Sequence, residues 1–173
     1  ENYVQEALEK IEALTDLRDT IEWHLIGPLQ SNKTRAVATH FDWVHSVDRL
    51  KLAERLAAQR PVGMLPLQVC LQVNISGEPS KSGIEPDAAL PLARSVAALP
   101  GLRLRGLMAI PEPDPDPQTQ RAPHRALARL LYDLNAAGLA LDTLSMGMSA
   151  DLEAAILEGA TIIRVGTAIF GAR

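Results

Sequence analysis

A chain of 173 residues with 47% apolar side chains can bury one sizeable core, and its six aromatics leave that core to Leu, Ala, Val and Ile. A formal charge of −4, with no basic run, argues against a nucleic-acid partner. The single cysteine excludes a disulfide framework, the four scattered histidines lack metal-ligand spacing, and no apolar run approaches the roughly 18 residues of a membrane span. A cytoplasmic protein is the simplest expectation.

From Asn2 to Arg18 apolar residues recur at Val4, Ala7, Leu8, Ile11, Leu14 and Leu17, a helical stripe. Trp23–Gly27 reads as a short strand closed by Gly27-Pro28, and Gln30–His40 returns to helix. Trp43–Val47 is the next strand, followed by an amphipathic helix over Asp48–Gln59. Leu67–Ile75 is nearly continuous in apolar residues, as suits a strand buried on both faces, with Cys70 inside it. The polar loop Ser76–Gly83 follows, then a helix over Asp87–Leu99 with Pro86 in its first turn. Arg103–Ile110 is a strand, Glu112–Pro117 an exposed Pro/Asp excursion, and Gln118–Ala137 a long helix. A strand beginning at Thr143, a helix over Asp151–Glu158 and a strand from Ile162 complete the chain.

Strand and helix thus alternate six times, a rhythm of parallel strands with helical crossovers. Either a doubly wound open sheet or a β/α barrel fits. No G-x-G-x-x-G follows any strand, and an anion cup on the last two strands favours the barrel. The fold expected is therefore an α/β (β/α)8 TIM-type barrel forming one domain over residues 1–173. Eight units need about 200–250 residues, so one or two strand units are expected upstream of Glu1. An open six-stranded sheet stabilised by a dimer partner is the alternative.

The cup is read from Thr143–Asp151 and Ile162–Gly171. Both segments run from an apolar strand into a Gly/Ser/Thr turn. Gly147, Gly166 and Gly171 lack a Cβ and would let a ligand approach the main chain. Ser149 is placed as the N-cap of the intervening helix, whose free N–H groups suit a phosphate. Arg164 interrupts an apolar strand, and a buried guanidinium calls for an anion or a heteroatom partner. The other residues at strand ends are Gly27, Gln30, Asn32, Ser46, Asn74, Ser76, Met108 and Ala109. No carboxylate pair stands among them, which excludes the usual glycosidase arrangement, and no G-x-S-x-G elbow exists. His24 and His45 read as packed or hydrogen-bonded histidines rather than general bases. The ligand class indicated is an anion bearing a heteroaromatic ring.

Several stretches resemble the pyridoxal phosphate homeostasis protein family. They are Glu1–Glu6, Trp23–Lys33, His45–Arg49, Val73–Ile75 with Lys81–Gly83, Gly106–Pro111, Leu144–Asp151 and Arg164–Gly171. The resemblance implies a single barrel like the N-terminal domain of alanine racemase, the type III pyridoxal phosphate fold. It implies a protein that binds pyridoxal 5'-phosphate without established turnover and buffers or delivers it, with apoenzymes as possible acceptors. By position, Ser145, Met146, Gly147, Ser149, Gly166 and Thr167 would hold the phosphate, and Asn2 joins the cofactor-binding set. Arg164, in Arg-x-Gly-x-x-x-aromatic-Gly, would face the pyridine nitrogen. The family's Schiff-base lysine precedes the Glu1-Asn2-Tyr3 motif and matches no residue here, so no catalytic residue is assigned. Lys81 takes a secondary role in its loop. A monomer or weak homodimer is expected. The rivals are a racemase or decarboxylase of the same fold, a barrel enzyme acting on a phosphorylated metabolite, and a scaffold without a cofactor.

Overall fold

The computed structural model describes residues 1–77, 82–112 and 114–171. Six strands, β1 (His24–Leu25), β2 (Trp43–Val47), β3 (Leu67–Gln72), β4 (Leu102–Met108), β5 (Thr143–Met148) and β6 (Ile162–Arg164), form one sheet in the order of the chain. Every neighbouring pair is parallel. A doubly wound sheet reverses its strand order at a switch point. This sheet never does, so all its crossovers wind the same way and the sheet curls. The result is a partial β/α barrel.

α1 (Val4–Ala13) precedes β1, the crossovers are α2 (Thr34–His40), α3 (Leu50–Gln59), α4 (Ala89–Ala97), α5 (Pro117–Ala136) and α6 (Leu152–Leu157), and the short α7 (Thr167–Phe170) follows β6. No helix among the described residues is long and apolar enough to cross a membrane.

Alternation along each strand makes two cores. Outward residues such as Leu25, Val44, Val69, Leu71, Leu107 and Met146 meet the helices in one large apolar layer. Inward residues form a smaller cluster of Trp43, Cys70 and Met108, packed with Ile26 and Ile162. Cys70 is fully buried there, and burial pushes its thiol up to about 12.

The elements differ from their sequence-based bounds mainly at their ends. The first helix stops at Ala13, and Thr15–Leu17 forms a separate 3-10 turn. The helices after β1 and β3 likewise begin as 3-10 turns, Ser31–Lys33 and Pro86–Ala88. β3 ends at Gln72, with Val73 only bridging to Ile84. The loop read at Ser76–Gly83 lies partly outside the described residues, as does the excursion at Glu112–Pro117. Asp116 caps α5 by accepting the Thr119 N–H at 2.9 Å, and α5 begins at Pro117, where proline's missing donor costs nothing. Beside β1, Glu1 N donates to His24 O at 2.7 Å and the Ile26 N–H donates to Glu1 O at 2.8 Å. Glu1 therefore continues the hydrogen-bonding of the sheet.

Candidate functional site

The C-terminal ends of β5 and β6 come together as the sequence implies. Thr167 Oγ1 donates to Ser149 Oγ at 3.3 Å, and the Ala168 N–H donates to the same oxygen at 3.3 Å. Ser149 and the first residues of α7 thus share one rim. Gly166 precedes them, and a Cβ added there would meet nothing within 4 Å. This is the open ground a phosphate needs to reach the backbone.

Arg164, at the end of β6, is held on two sides. Its Nη1 donates to Ser145 Oγ at 2.7 Å, and its Nη2 donates to the Ala109 carbonyl, just beyond β4, at 2.9 Å. Its Nε is buried and has no hydrogen-bond partner. Burial pushes the guanidinium down to about 10, so it stays charged at neutral pH. A buried donor left without an acceptor calls for an explanation, and a ligand atom on this rim supplies one.

Behind Arg164 runs a line of polar side chains through the inner face of the sheet. Ser145 Oγ lies 2.7 Å from His45 Nδ1, and His45 Nε2 lies 2.9 Å from His24 Nδ1. Ser145 and His45 are both fully buried. Burial foremost, then the neighbouring His24 and Arg164, pushes His45 down to about 3. His24 is lowered too, chiefly by burial, and its ring stacks on Trp43 with centroids 5.1 Å apart. Trp43 carries the Arg105 guanidinium 4.8 Å from its ring centroid, and Arg105 grips Asp142 through two bonds of 2.8 Å. These residues form a floor beneath the polar line.

Several expected roles change. The Ser145 hydroxyl is committed to Arg164 and His45, which makes it a support for the cup's guanidinium. Met146 turns its side chain outward into the apolar layer, because it follows the inward Ser145 on an alternating strand. Packing by itself requires a glycine at position 147. Its φ is 91°, and a Cβ there would sit 2.6 Å from the Ala155 Cβ. Ser149 does not cap α6. Asp151 holds that position and staples the preceding turn, accepting the Met148 N–H at 2.6 Å while the Asp151 N–H donates to Met148 O at 3.1 Å. Asn2 is exposed, with its backbone against Gly27 at the β1 edge, and no hydrogen bond among the described residues joins it to the cup. Ser46 is spent on the Gly27 carbonyl at 2.7 Å. Lys81 lies outside the described residues.

A set of supporting contacts goes beyond the sequence reading. His124, fully buried on α5, pairs through Nε2 with Asp151 Oδ2 at 2.9 Å. Flanking it on the same helix, Arg121 and Arg125 bind Glu158 at 2.7 and 3.0 Å. α5 therefore grips α6 at both ends, and α6 holds the turn that carries Ser149. An Asp opening a helix is a visible signal for half of the first contact. Its histidine partner has no such signal.

The arrangement fits a phosphorylated heteroaromatic ligand. Ser149, Gly166, Thr167 and the Ala168 N–H offer polar groups and clear space for a phosphate, and Arg164 Nε offers one donor to a ring nitrogen.

Comparison with known proteins points the same way. Residues 1–173 match the family model described as the alanine racemase N-terminal domain. The pyridoxal phosphate homeostasis protein of Pseudomonas aeruginosa is 64% identical over 173 residues, covering 100% of this chain and 73% of that one. The structure of PipY from Synechococcus elongatus without PLP superposes with a TM-score of 0.90 at 42% identity, covering 98% of this chain and 80% of that one. The same protein with PLP bound gives 0.88 at 39% identity, covering 98% and 79%.

Proposed function

Because the chain belongs to the alanine racemase N-terminal-domain family, and within it to the pyridoxal phosphate homeostasis proteins, we propose that it binds pyridoxal 5'-phosphate and holds it for delivery without turnover of its own. The observation that carries this reading is Arg164, anchored through both terminal nitrogens with its buried Nε–H left to donate. Ser149, Gly166, Thr167 and the Ala168 N–H would take the phosphate. Arg164 would donate to the ring nitrogen and, being charged at neutral pH, would keep a proton off it.

When bound, the cofactor supplies an electron-accepting ring, and that capacity is weakest when the ring nitrogen is unprotonated. An arginine at this position therefore suits storage better than carbanion chemistry. We place the protein in the cytoplasm as a monomer or weak homodimer, with pyridoxal phosphate-dependent apoenzymes as acceptors.

Parallel titrations with pyridoxal phosphate, pyridoxal and inorganic phosphate, followed by ligand absorbance and competition, test the reading. Pyridoxal phosphate is expected to bind at least about tenfold more tightly than pyridoxal, since charge-assisted phosphate bonds contribute roughly 1.5–3 kcal/mol each. Equal affinity for the two, or no binding of either, would overturn it.

A further inference from the structure

We propose that His45 is a positioning residue for Arg164: through Ser145 it fixes the direction of a buried hydrogen-bond chain, Arg164 to Ser145 to His45 to His24, and so presents the Arg164 Nε–H to the ligand's ring nitrogen. The proposal rests on the reading of the site given above and assigns a role to residues outside the cup.

The direction follows from the donors. A guanidinium has N–H groups and no acceptor, so Arg164 Nη1 must donate to Ser145 Oγ. Ser145 is fully buried, and its own hydroxyl proton needs an acceptor. Among the described residues His45 Nδ1, at 2.7 Å, is the acceptor in reach. His45 Nδ1 is therefore bare.

Because burial holds His45 neutral far below physiological pH, its one ring proton sits on Nε2. That nitrogen faces His24 Nδ1 at 2.9 Å, which must accept. His24 in turn carries its proton on Nε2, 3.9 Å from the Glu22 carboxylate at the open end of the chain. The reverse direction would have His45 donate to Ser145 and strand the hydroxyl proton in a dry interior.

The consequence reaches Arg164. With its proton turned to His45, Ser145 keeps its lone pairs for the guanidinium, and the Ala109 carbonyl fixes the other arm. Without His45 the hydroxyl has no fixed rotamer and one of the two anchors is lost. Nε then no longer points in a set direction.

Nitrogen-15 NMR of the imidazoles reads the chain without any ligand. His45 is expected to show a bare Nδ1 and a protonated Nε2 from about pH 5 to 8, a range in which an ordinary histidine titrates. An Nδ1–H tautomer, or titration near the ordinary histidine value, overturns the proposal. The second arm compares pyridoxal phosphate with its 1-deaza analogue, in which carbon replaces the ring nitrogen. His45→Phe is expected to narrow the wild-type preference for pyridoxal phosphate by about tenfold, the value of one charge-assisted bond, and to leave competition by inorganic phosphate unchanged. His45→Asn, whose side-chain oxygen stands near the Nδ1 position, is expected to restore most of the preference. A His45→Phe protein with wild-type preference refutes the positioning role. If wild-type protein binds neither compound, the cofactor reading fails, and the NMR result alone decides the direction of the chain.

Discussion

His45 Nδ1 and Ser145 Oγ lie 2.7 Å apart although they are 100 residues apart in sequence and stand on β2 and β5. Three strand spacings in a flat sheet would separate those strands by about 14 Å. The contact exists because the sheet curls, and the same curl brings a histidine from the first half of the chain beneath the cup of the second half.

The first expectation concerns Arg164. Arg164→Lys keeps the charge but cannot reach Ser145, Ala109 and a ring nitrogen together, since an ammonium is a point charge on a flexible stem. Pyridoxal phosphate affinity, measured by equilibrium titration, is expected to fall about tenfold or more, while Arg164→Gln loses more again. Affinity within twofold of wild type in Arg164→Gln would remove the guanidinium from the site.

Two glycines beside the cup's hydroxyls should behave oppositely. Gly147→Ala sets a methyl 2.6 Å from the Ala155 Cβ at a φ of 91°. Left-handed strain costs about 1–2 kcal/mol and overpacking about 1–3 kcal/mol, so a clear loss of stability in urea is expected. Gly166→Ala meets open space at a φ of −117°. Its stability should stay within about 1 kcal/mol of wild type, a Gly-to-Ala change at an allowed φ, while phosphate affinity falls. Equal effects on stability would show that the two positions are not distinguished by packing.

Stability should fall as the medium is acidified from about pH 6.5 toward 4. His45 is held down to about 3 in the folded state and titrates near 6.5 in the unfolded chain, so in that window the unfolded state binds the extra proton. Folding loses on the order of 3–4 kcal/mol from this group across the window, and the lowered His24 adds to the loss. The folded-state carboxylates held low by arginine, such as Asp142, act only nearer their own range. Urea unfolding of wild type and His45→Asn at several pH values checks this. The variant should show the flatter profile above pH 4, and parallel profiles would mean that His45 is charged in the fold.

Asp151→Ala removes the acceptor for Met148 N–H and the partner of buried His124. Losing two hydrogen bonds, with a buried imidazole left unpaired, should cost roughly 2–4 kcal/mol. Phosphate affinity should fall with it, because the stapled turn carries Ser149. Asp151→Asn, which retains one acceptor, should lie between. Intact phosphate binding in Asp151→Ala would free the cup from the α5–α6 grip.

Much of the fold is legible because each strand is a compact apolar run and each helix an amphipathic stripe. Leu67–Gln72 and Thr143–Met148 announce themselves that way. Arg164 is legible because a charge inside an apolar strand demands a partner. Partners themselves are not, since periodicity carries no information about which strands face one another across a curl. Ser145 and Ser149 are both plausible cup residues in sequence, and only their opposite surroundings tell them apart. Ser149 and Asp151 are both plausible caps for α6 in sequence; Asp151 takes the N-cap position, and its carboxylate turns to the Met148 N–H and to His124, a residue 27 positions away on another helix.

The anchoring of Arg164 by Ala109, Ser145 and, through Ser145, His45 ties the pocket to the order in which the chain acquires its structure. Groups from β2, β4, β5 and β6 must all have docked before the guanidinium has its final pose. A half-formed chain accordingly has nothing with which to recognise the ligand. Added ligand should then stabilise the fold by the full mass-action amount, RT ln(1 + [L]/Kd), and raise the melting temperature accordingly, with no offset from affinity for the unfolded chain.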